Sequence, residues 1–299
     1  MKNTENKKKL PIFAYVVLAI LITYTVSLSL PMLWGIYTSL KDTMSFIEDP
    51  VWPSFEFSFE NYLQAFEQFF MQVEKEVDGL QMVKTVYYEE MMMNSIIYAV
   101  GSSFIQTAII CVTAYATSRF NFKFDKVIYT IVIVTMILPI IGSLPSELRM
   151  AKAFGLYDSI YGMFLMKANF LGMYYLVFHA MFRALPKDFD EAAYMDGAGN
   201  FTIFFKINLP LVVGTFVTVM LIKFIDFWND YTTPMVYMPN FPTVAYGLYG
   251  FVQESTTPAK SGTQIKLAAC MLVFIPNFLI FIIFRNKLIG NISMGGLKE

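Results

Sequence analysis

Charge is scarce in this chain. Only 15% of its 299 residues are Asp, Glu, Lys or Arg, and 56% are hydrophobic. A soluble globular domain has about 25% charged residues, so this composition excludes an ordinary water-soluble fold and favours a protein that crosses a bilayer several times. The formal net charge is −1, which provides no overall positive field to attract nucleic acid.

Cysteine and histidine are also scarce. Cys111, Cys270 and the single His179 all lie inside apolar runs, which favours packing residues over a disulfide framework or a metal site. The sequence contains no G-x-x-x-x-G-K-[ST] phosphate-cradling loop and no evident nucleophile–base set. We therefore expect a non-catalytic chain that binds no cofactor itself, so that any ATP would be hydrolysed by another chain.

Long apolar runs are what the sequence has in abundance. A membrane-spanning helix needs about 20 mostly apolar residues, and six stretches qualify. Their apolar character is continuous rather than alternating, which predicts helices and an all-α membrane protein. The prolines within them could mark gating bends or simple packing kinks. The six predicted spans are 12–38, 95–117, 127–148, 160–182, 208–232 and 265–284, and the prolines are Pro31, Pro139 and Pro276.

The distribution of basic residues predicts the orientation of these spans. Cytoplasmic segments of membrane proteins are enriched in Lys and Arg, so we place the N-terminus and every second loop inside. The first outer loop is then strongly acidic, and both termini are cytoplasmic. Thirteen of the 22 basic residues fall inside, namely Lys2, Lys7, Lys8, Lys9, Arg119, Lys123, Lys126, Arg183, Lys187, Lys206, Arg285, Lys287 and Lys298.

This topology divides the chain into four regions. Residues 1–40 form a tail and a retained first span, because the apolar run is too long for a cleaved signal peptide. Residues 41–93 form an extracytoplasmic loop, 94–284 a five-helix core, and 285–299 a cytoplasmic tail. Within the core, a cytoplasmic loop spans residues 183–207.

That cytoplasmic loop is longer than the usual connection between packed helices, which takes about 2–8 residues. It contains most of the stretch "EAAYMDGAGNFTIFFKINLP", residues 191–210. Acidic residues favour a helix start near 188, and Ala192 and Ala193 would give a smooth surface to a docking partner. Gly197 and Gly199 allow the helix to end and the chain to reverse. A helix–turn–helix that a soluble protein can reach is predicted.

This stretch resembles the EAA loop of ATP-binding-cassette importer permeases, whose pattern is EAA, then DGA, then I-x-LP. We call residues 183–207 the EAA loop. Further segments resemble the carbohydrate branch of that family, in particular the smaller, MalG-like permease subunit of maltose-type importers with its MetI-like core. The segment from 70 to 90 departs from the pattern, and its helix-like charges suggest an added outer element. The matching segments include "NSIIYAV" at 94–100, "AYATSRFNF" at 114–122, "LPIIGSLPSEL" at 138–148, "FGLYDSIYG" at 154–162 and "FWNDYTTP" at 227–234.

The resemblance implies a function and a set of partners. The chain would form half of a path for a carbohydrate through a bacterial cell membrane, beside a second, similar permease. Two copies of an ATPase would bind ATP and Mg²⁺ and dock on the EAA loop, and an extracytoplasmic binding protein would deliver the sugar. The residues implied to dock on the ATPase are Glu191, Ala192, Ala193, Asp196, Gly197 and Ala198.

Polar residues at membrane depth are further candidates, here for the translocation path. Lys223 and Asp226 are three residues apart, so they share a helix face and could pair. Asn229 and Asp230 follow at the outer end, and Trp228 could stack on a sugar or serve as a packing residue. Two alternatives remain open from the sequence: a permease of the same type for another solute, such as a peptide or amino acid, and an ion-coupled secondary transporter.

Overall fold

The computed structural model describes residues 11–52, 57–77, 80–120, 123–138, 142–253 and 262–292. Several sequence-based predictions lie outside these residues, among them the N-terminal lysines, Pro139 and the tail after 292. The described part is predominantly helical and forms two compact units. One unit contains the residues up to Gln68 together with 262–272, and the other contains Phe69–Gln253 and the residues from Val273 onward.

The helices and the two strands are numbered here in chain order. A π-helical segment, Phe204–Asn208, joins α10 to α11 without a break. The elements are α1 Ile12–Ser39, α2 Thr43–Glu48, α3 Glu60–Gln68, β1 Phe70–Val77, β2 Leu80–Tyr87, α4 Tyr88–Arg119, α5 Asp125–Ile137, α6 Leu144–Ala153, α7 Ile160–Lys167, α8 Met173–Ala184, α9 Asp188–Met195, α10 Asn200–Ile203, α11 Leu209–Trp228, α12 Thr232–Tyr237, α13 Val244–Gln253 and α14 Thr263–Ile292.

Four helical segments among the described residues are long and apolar enough to cross a membrane. They correspond to the predicted spans one, two, five and six, and the prolines at 31 and 276 lie inside the first and the last of them. The four segments are Ile12–Ser39, Tyr88–Arg119, Asn200–Trp228 and Thr263–Arg285.

The third and fourth predicted spans are not single helices. The stretch 127–148 divides between α5 and α6, and α5 has only 13 residues, about 20 Å of rise. The stretch 160–182 divides between α7 and α8, which are separated by residues 168–172. A hydrophobic run predicts burial in an apolar medium, but it does not specify where the backbone bends within that medium.

The segment after Phe69 corrects the all-α prediction. Strands β1 and β2 pair antiparallel from Phe70 opposite Tyr87 to Val77 opposite Leu80. Alternating Val, Thr and polar residues favour strands, and the Asp-Gly pair between them in the sequence is typical of a two-residue hairpin. The helix-like spacing of the charges in this segment therefore gives a wrong prediction.

In the first unit, a buried lysine holds the segment that follows α1 in place by hydrogen bonds. The Lys41 ammonium donates to the carbonyls of Asp49 and Trp52, which satisfies a cation that is 1% exposed. The Asn61 amide, on α3, donates to the carbonyls of Ser39 and Lys41, at 3.0 and 2.8 Å. Most of α1, in contrast, is exposed along its length.

The second unit is built around α4. This helix packs against α7, α8 and α11, and small residues such as Gly101, which lies against the Phe164 ring, allow the close approach of α7. A buried cluster lies at the C-terminal half of α4, where aromatic side chains from α8 and the π-helical segment meet it. Its members are Ile110, Cys111, Ala114, Tyr115, Val132, Tyr175, Phe178, Phe182, Phe204, Val212 and Val219.

Candidate functional site

The EAA loop forms a helix, a tight reversal and a second helix, as the sequence predicts. The reversal is a Schellman motif. The Ala198 N–H donates to the Ala193 carbonyl at 2.9 Å, and the Gly197 N–H donates to the Tyr194 carbonyl at 3.0 Å. Gly197 has a φ of 79°, a left-handed conformation that costs other residues free energy. The glycine is therefore required by the backbone of the turn itself.

The exposed surface of the loop combines acidic and apolar side chains. Glu191, Ala192 and Asp196 are exposed, whereas Ala193 is buried within the chain, so only the first alanine of the pair contributes a smooth outer surface. Such a concentration of exposed apolar side chains beside a polar motif is typical of an interaction surface. The apolar side chains are Phe189, Tyr194, Met195, Phe201 and Phe205.

A buried arginine connects the loop to the long helices. Arg119, the last residue of α4, donates to the carbonyls of Leu185 and Pro186 at 3.1 and 3.4 Å. It also donates to the Asn208 side chain at 3.2 Å, and its Nε lies 3.4 Å from the Asp190 carboxylate. Its side chain is 4% exposed. The planar guanidinium is suited to holding several acceptors at fixed angles.

Asn208 completes this arrangement. We call the three residues Arg119, Asp190 and Asn208 the loop network. The Asn208 amide donates to the Asp190 carboxylate at 2.8 Å while its oxygen accepts from Arg119. Asp190 lies in α9, and Asn208 ends the π-helical segment that leads into α11. The network therefore ties the first helix of the EAA loop to both α4 and α11.

Aromatic packing supports the same region from inside. The Tyr115 ring lies 4.7 Å from that of Phe204 and 5.3 Å from that of Phe182, measured between centroids. These three residues come from α4, the π-helical segment and α8. A displacement of the EAA loop must consequently move packed side chains on several helices, since such cores transmit strain.

A second polar cluster lies at the other end of α11, the end that the sequence predicts to be extracytoplasmic, and we call it the outer network. The Asp230 carboxylate accepts from the Tyr98 hydroxyl at 3.1 Å and from the Thr233 N–H at 2.9 Å. The Lys167 ammonium lies 3.7 Å from the same carboxylate and 5.5 Å from the centre of the Phe227 ring. Asp230 thus connects α4, α7 and α12. This structural role is additional to the place in the translocation path that the sequence suggested for it.

Nearby, a hydrogen bond between two side chains joins α6 to α12. The Tyr237 hydroxyl donates to the Glu147 carboxylate at 3.0 Å. Burial, reinforced by that hydrogen bond and by the carboxylate charge, raises the pKa of Tyr237 to about 12. The phenol therefore remains a protonated donor at any physiological pH.

The remaining path candidates differ in exposure. Trp228 is 2% exposed and its indole N–H donates to the Val273 carbonyl at 3.3 Å, which favours the packing interpretation. The Asn229 amide donates to the Ile225 carbonyl. Lys223 and Asp226 do pair, at 3.5 Å, and the Lys223 ammonium also lies 5.2 Å from the Tyr174 ring centre. The Asp226 side chain is 56% exposed.

The two networks are separated by about the thickness of a membrane. From Tyr98 to Arg119 along α4, the helical rise corresponds to about 32 Å. The hydrocarbon core of a bilayer is about 30 Å thick. Polar clusters at this spacing can lie at opposite interfaces, with the apolar middle of α4 and α11 between them.

A family model decides what this arrangement belongs to. Residues 106–289 match the model of the binding-protein-dependent transport system inner membrane component. The match covers more than half of the chain and includes the whole EAA loop and α11. The chain belongs to this MetI-like permease family.

Individual relatives of this permease span nearly its whole length. It is 24% identical over 289 residues to the diacetylchitobiose uptake permease NgcG of Streptomyces coelicolor, covering 96% of this chain and 89% of the relative. It is 27% identical over 292 residues to the galactooligosaccharide transport permease GanQ of Bacillus subtilis, covering 96% and 95%. A solved bacterial ABC transporter that imports alginate contains a chain with a TM-score of 0.75 and 21% identity, covering 92% and 96%.

Sequence reasoning missed the loop network of the permease. The sequence places Arg119 in a cytoplasmic segment, Asp190 among the acidic residues that favour a helix start, and Asn208 in the I-x-LP part of the EAA stretch, but it predicts no contact among the three. The three are 18 to 89 residues apart in the sequence. An asparagine and an arginine at the ends of apolar runs were the available signal, because such groups need partners where the chain enters the membrane.

His179 is a packing residue of the permease. Its ring lies 5.0 Å from that of Tyr129 and 5.8 Å from that of Tyr175, in agreement with the prediction from its apolar surroundings. In the part of the chain that the structure describes, no group of three or more His, Cys, Asp or Glu side chains is arranged to hold a metal ion.

Proposed function

We propose that this permease is one transmembrane subunit of an ATP-driven oligosaccharide importer. The observation that carries the proposal is the joint occurrence of relatives named for oligosaccharide uptake and of an EAA loop whose outer face is exposed. The partners are a second, similar permease, two ATPase subunits that bind ATP and Mg²⁺, and an extracytoplasmic binding protein. This chain supplies half of the path and no covalent chemistry.

Six crossings, with both termini in the cytoplasm of a bacterial inner membrane, are part of this proposal. Two of them would be broken: α5 with α6, and α7 with α8. Breaks at membrane depth are tolerated where the backbone is enclosed by protein. In support, the α8 face formed by Tyr175, Phe178 and Phe182 is buried against the core. The start of α5 and the end of α8 also line one common cavity near the end of α4.

The mechanism follows from how the EAA loop is held. ATP-driven closure of the two ATPases would push the docking face, whose candidate residues are Glu191, Ala192, Asp196, Gly197 and Ala198. The loop network connects α9 to both α4 and α11. A force on the docking face would therefore move these two helices together. Their far ends meet again at the outer network, so movement at the ATPase can change access at the opposite interface.

The direct test is transport by the reconstituted complex. Proteoliposomes that contain the permease, its partner permease, the ATPase and the binding protein should accumulate a labelled oligosaccharide only when ATP is inside. Uptake that persists without ATP but follows an ion gradient would support the secondary-transporter alternative. ATP-dependent uptake of peptides or amino acids in place of sugars would support the other alternative.

Topology is tested separately by labelling. Single cysteines at Glu74 and Lys187, in a chain whose own cysteines are replaced, should respond differently to an impermeant maleimide on intact cells. We expect the first to react and the second to be protected. The opposite pattern would overturn the orientation, while transport in proteoliposomes would still report on function.

A further inference from the structure

A polar cavity of about 680 Å³ lies where α4 ends, α5 begins and α8 ends. It is separate from the exposed docking face of the EAA loop, although Lys187 at the start of α9 borders it. The lining is rich in cations and hydroxyl groups, and neither the proposed sugar path nor ATPase docking uses it. The lining residues are Thr117, Ser118, Arg119, Asp125, Lys126, Tyr129, Thr130, His179, Arg183 and Lys187.

The charge around the cavity is not balanced. Arg119 is paired with Asp190, as described above, and Asp125 is the one carboxylate among the lining residues. Lys126, Arg183 and Lys187 form no ion pair with any carboxylate that the structure describes. Three cations facing one carboxylate leave a positive excess, which favours an anionic ligand.

One wall of the cavity continues into an apolar surface. Lys126, Tyr129 and Thr130 are on α5, and the neighbouring face of the same helix exposes Val127, Ile131 and Val134. Their spacing places these three apolar side chains in one row along the helix. A ligand that fits both parts combines an anionic head with hydrocarbon chains.

We propose that this cavity binds the phosphate headgroup of an anionic phospholipid, whose acyl chains lie along the apolar row of α5. Basic pockets between the cytoplasmic ends of membrane helices bind such headgroups. On the proposed orientation the lipid comes from the inner leaflet. Its phosphate contacts Lys126, Arg183 and Lys187. The last two lie at the start of the EAA loop, so the lipid stabilises the position of that loop relative to α4 and α5.

The probe is phosphatidylglycerol, added to the full-length permease in detergent and followed by native mass spectrometry. The test variant is the double substitution Lys126→Gln with Arg183→Gln. The control is Lys123→Gln, which removes one positive charge from an exposed residue at the same helix connection outside the cavity and is matched in charge to the single variant Lys126→Gln. One basic residue near an anionic surface changes affinity about fivefold, so we expect about thirtyfold weaker binding for the double variant and wild-type binding for the control.

The same titration distinguishes lipid from soluble phosphate. Glycerol 1-phosphate carries the headgroup charge without acyl chains, and we expect it to compete only weakly with phosphatidylglycerol. Tighter binding of glycerol 1-phosphate than of the lipid would overturn the lipid assignment. Equal retention of phosphatidylglycerol by wild type and double variant would overturn the site itself. If the double variant unfolds, Lys126→Gln alone, at an exposed position, should still show about a fivefold loss. None of these readouts requires transport.

Discussion

The two polar networks at the ends of α11 place one carboxylate and one cation beside neutral hydrogen-bonding groups, but they distribute the bonds differently. In the loop network, Arg119 holds two carbonyls, Asn208 and Asp190, and is almost wholly buried. In the outer network, the bonds converge on Asp230, and Lys167 keeps 26% of its side chain exposed.

The two networks therefore differ in how rigidly they couple the segments that they join. A guanidinium with acceptors on three segments fixes their relative orientation, because its donors are coplanar and rigidly spaced. An ammonium at 3.7 Å from a carboxylate acts as a point charge and permits movement around it. We infer that the loop end of α11 moves as one rigid body with the EAA loop, and that the outer end can rearrange.

The largest effect is expected at the turn that carries the docking face. Gly197→Asp should abolish transport while leaving expression normal, because an L-residue at φ 79° is strained by about 1 kcal/mol or more and the new charge lies beside Asp196. The measurement is ATP-dependent uptake together with ATPase stimulation by the loaded binding protein.

Gly199→Asp is the matched control for this substitution. It adds the same charge two residues away, at a glycine with φ −79°, and neither glycine has a neighbour that an added side chain would strike. We expect it to transport measurably better than Gly197→Asp. Wild-type transport by Gly197→Asp would mean that the loop is a plain connector.

Next in size is the loss of the buried arginine. Arg119→Ala leaves the Asp190 carboxylate without its cation in a largely buried place, a change that typically costs about 3 kcal/mol of folding free energy. The apparent Tm in detergent should then fall by about 6 to 12 °C. Arg119→Lys should recover only part of this loss, since one ammonium cannot reach all the acceptors.

Lys123→Ala is the control for Arg119→Ala, because Lys123 is an exposed cation close by in the sequence. Its melting temperature should match that of the wild type. If Arg119→Lys is as stable as the wild type, the geometry of the guanidinium is unimportant and the contrast between the two networks disappears.

A smaller loss is expected at the outer network. In Lys167→Met the Asp230 carboxylate keeps the Tyr98 hydroxyl and the Thr233 N–H, so the cost should be about 1 kcal/mol. Asp230→Ala removes the acceptor of all these bonds and should cost more. Thermal unfolding of the two variants is compared with that of Arg119→Ala, and we expect Lys167→Met to lower the Tm least. A larger loss of Tm in Lys167→Met than in Arg119→Ala would contradict the proposed rigidity of the loop end.

The smallest effect on stability is expected at Asp226. Its side chain is 56% exposed and its pair with Lys223 spans one helical turn, so Asp226→Asn should change the folding free energy by less than about 0.5 kcal/mol. A transport rate that nevertheless falls severalfold would place this carboxylate in the sugar path. Unchanged transport would remove it from the list of path residues.

The sequence by itself determined the class of protein and the identity of its loop. Apolar runs of about 20 residues predict spanning helices whatever their partners, because the backbone must satisfy itself in lipid. The reversal at Gly197 was predictable because the motif is local: its hydrogen bonds join residues at most five positions apart. The pairing of Lys223 with Asp226 is local for the same reason.

Only the tertiary structure decided the rest. The strand pair β1–β2 is a different case: local strand and turn signals indicate it, but the spacing of its charges competes with them. The breaks within the third and fourth predicted spans depend on which neighbours enclose the backbone, and a hydropathy pattern does not contain that information. The hydrogen bonds of Arg119 join it to residues 66 to 89 positions away. Nothing near Arg119 in the sequence predicts such partners, because the helices bring them together only when they pack.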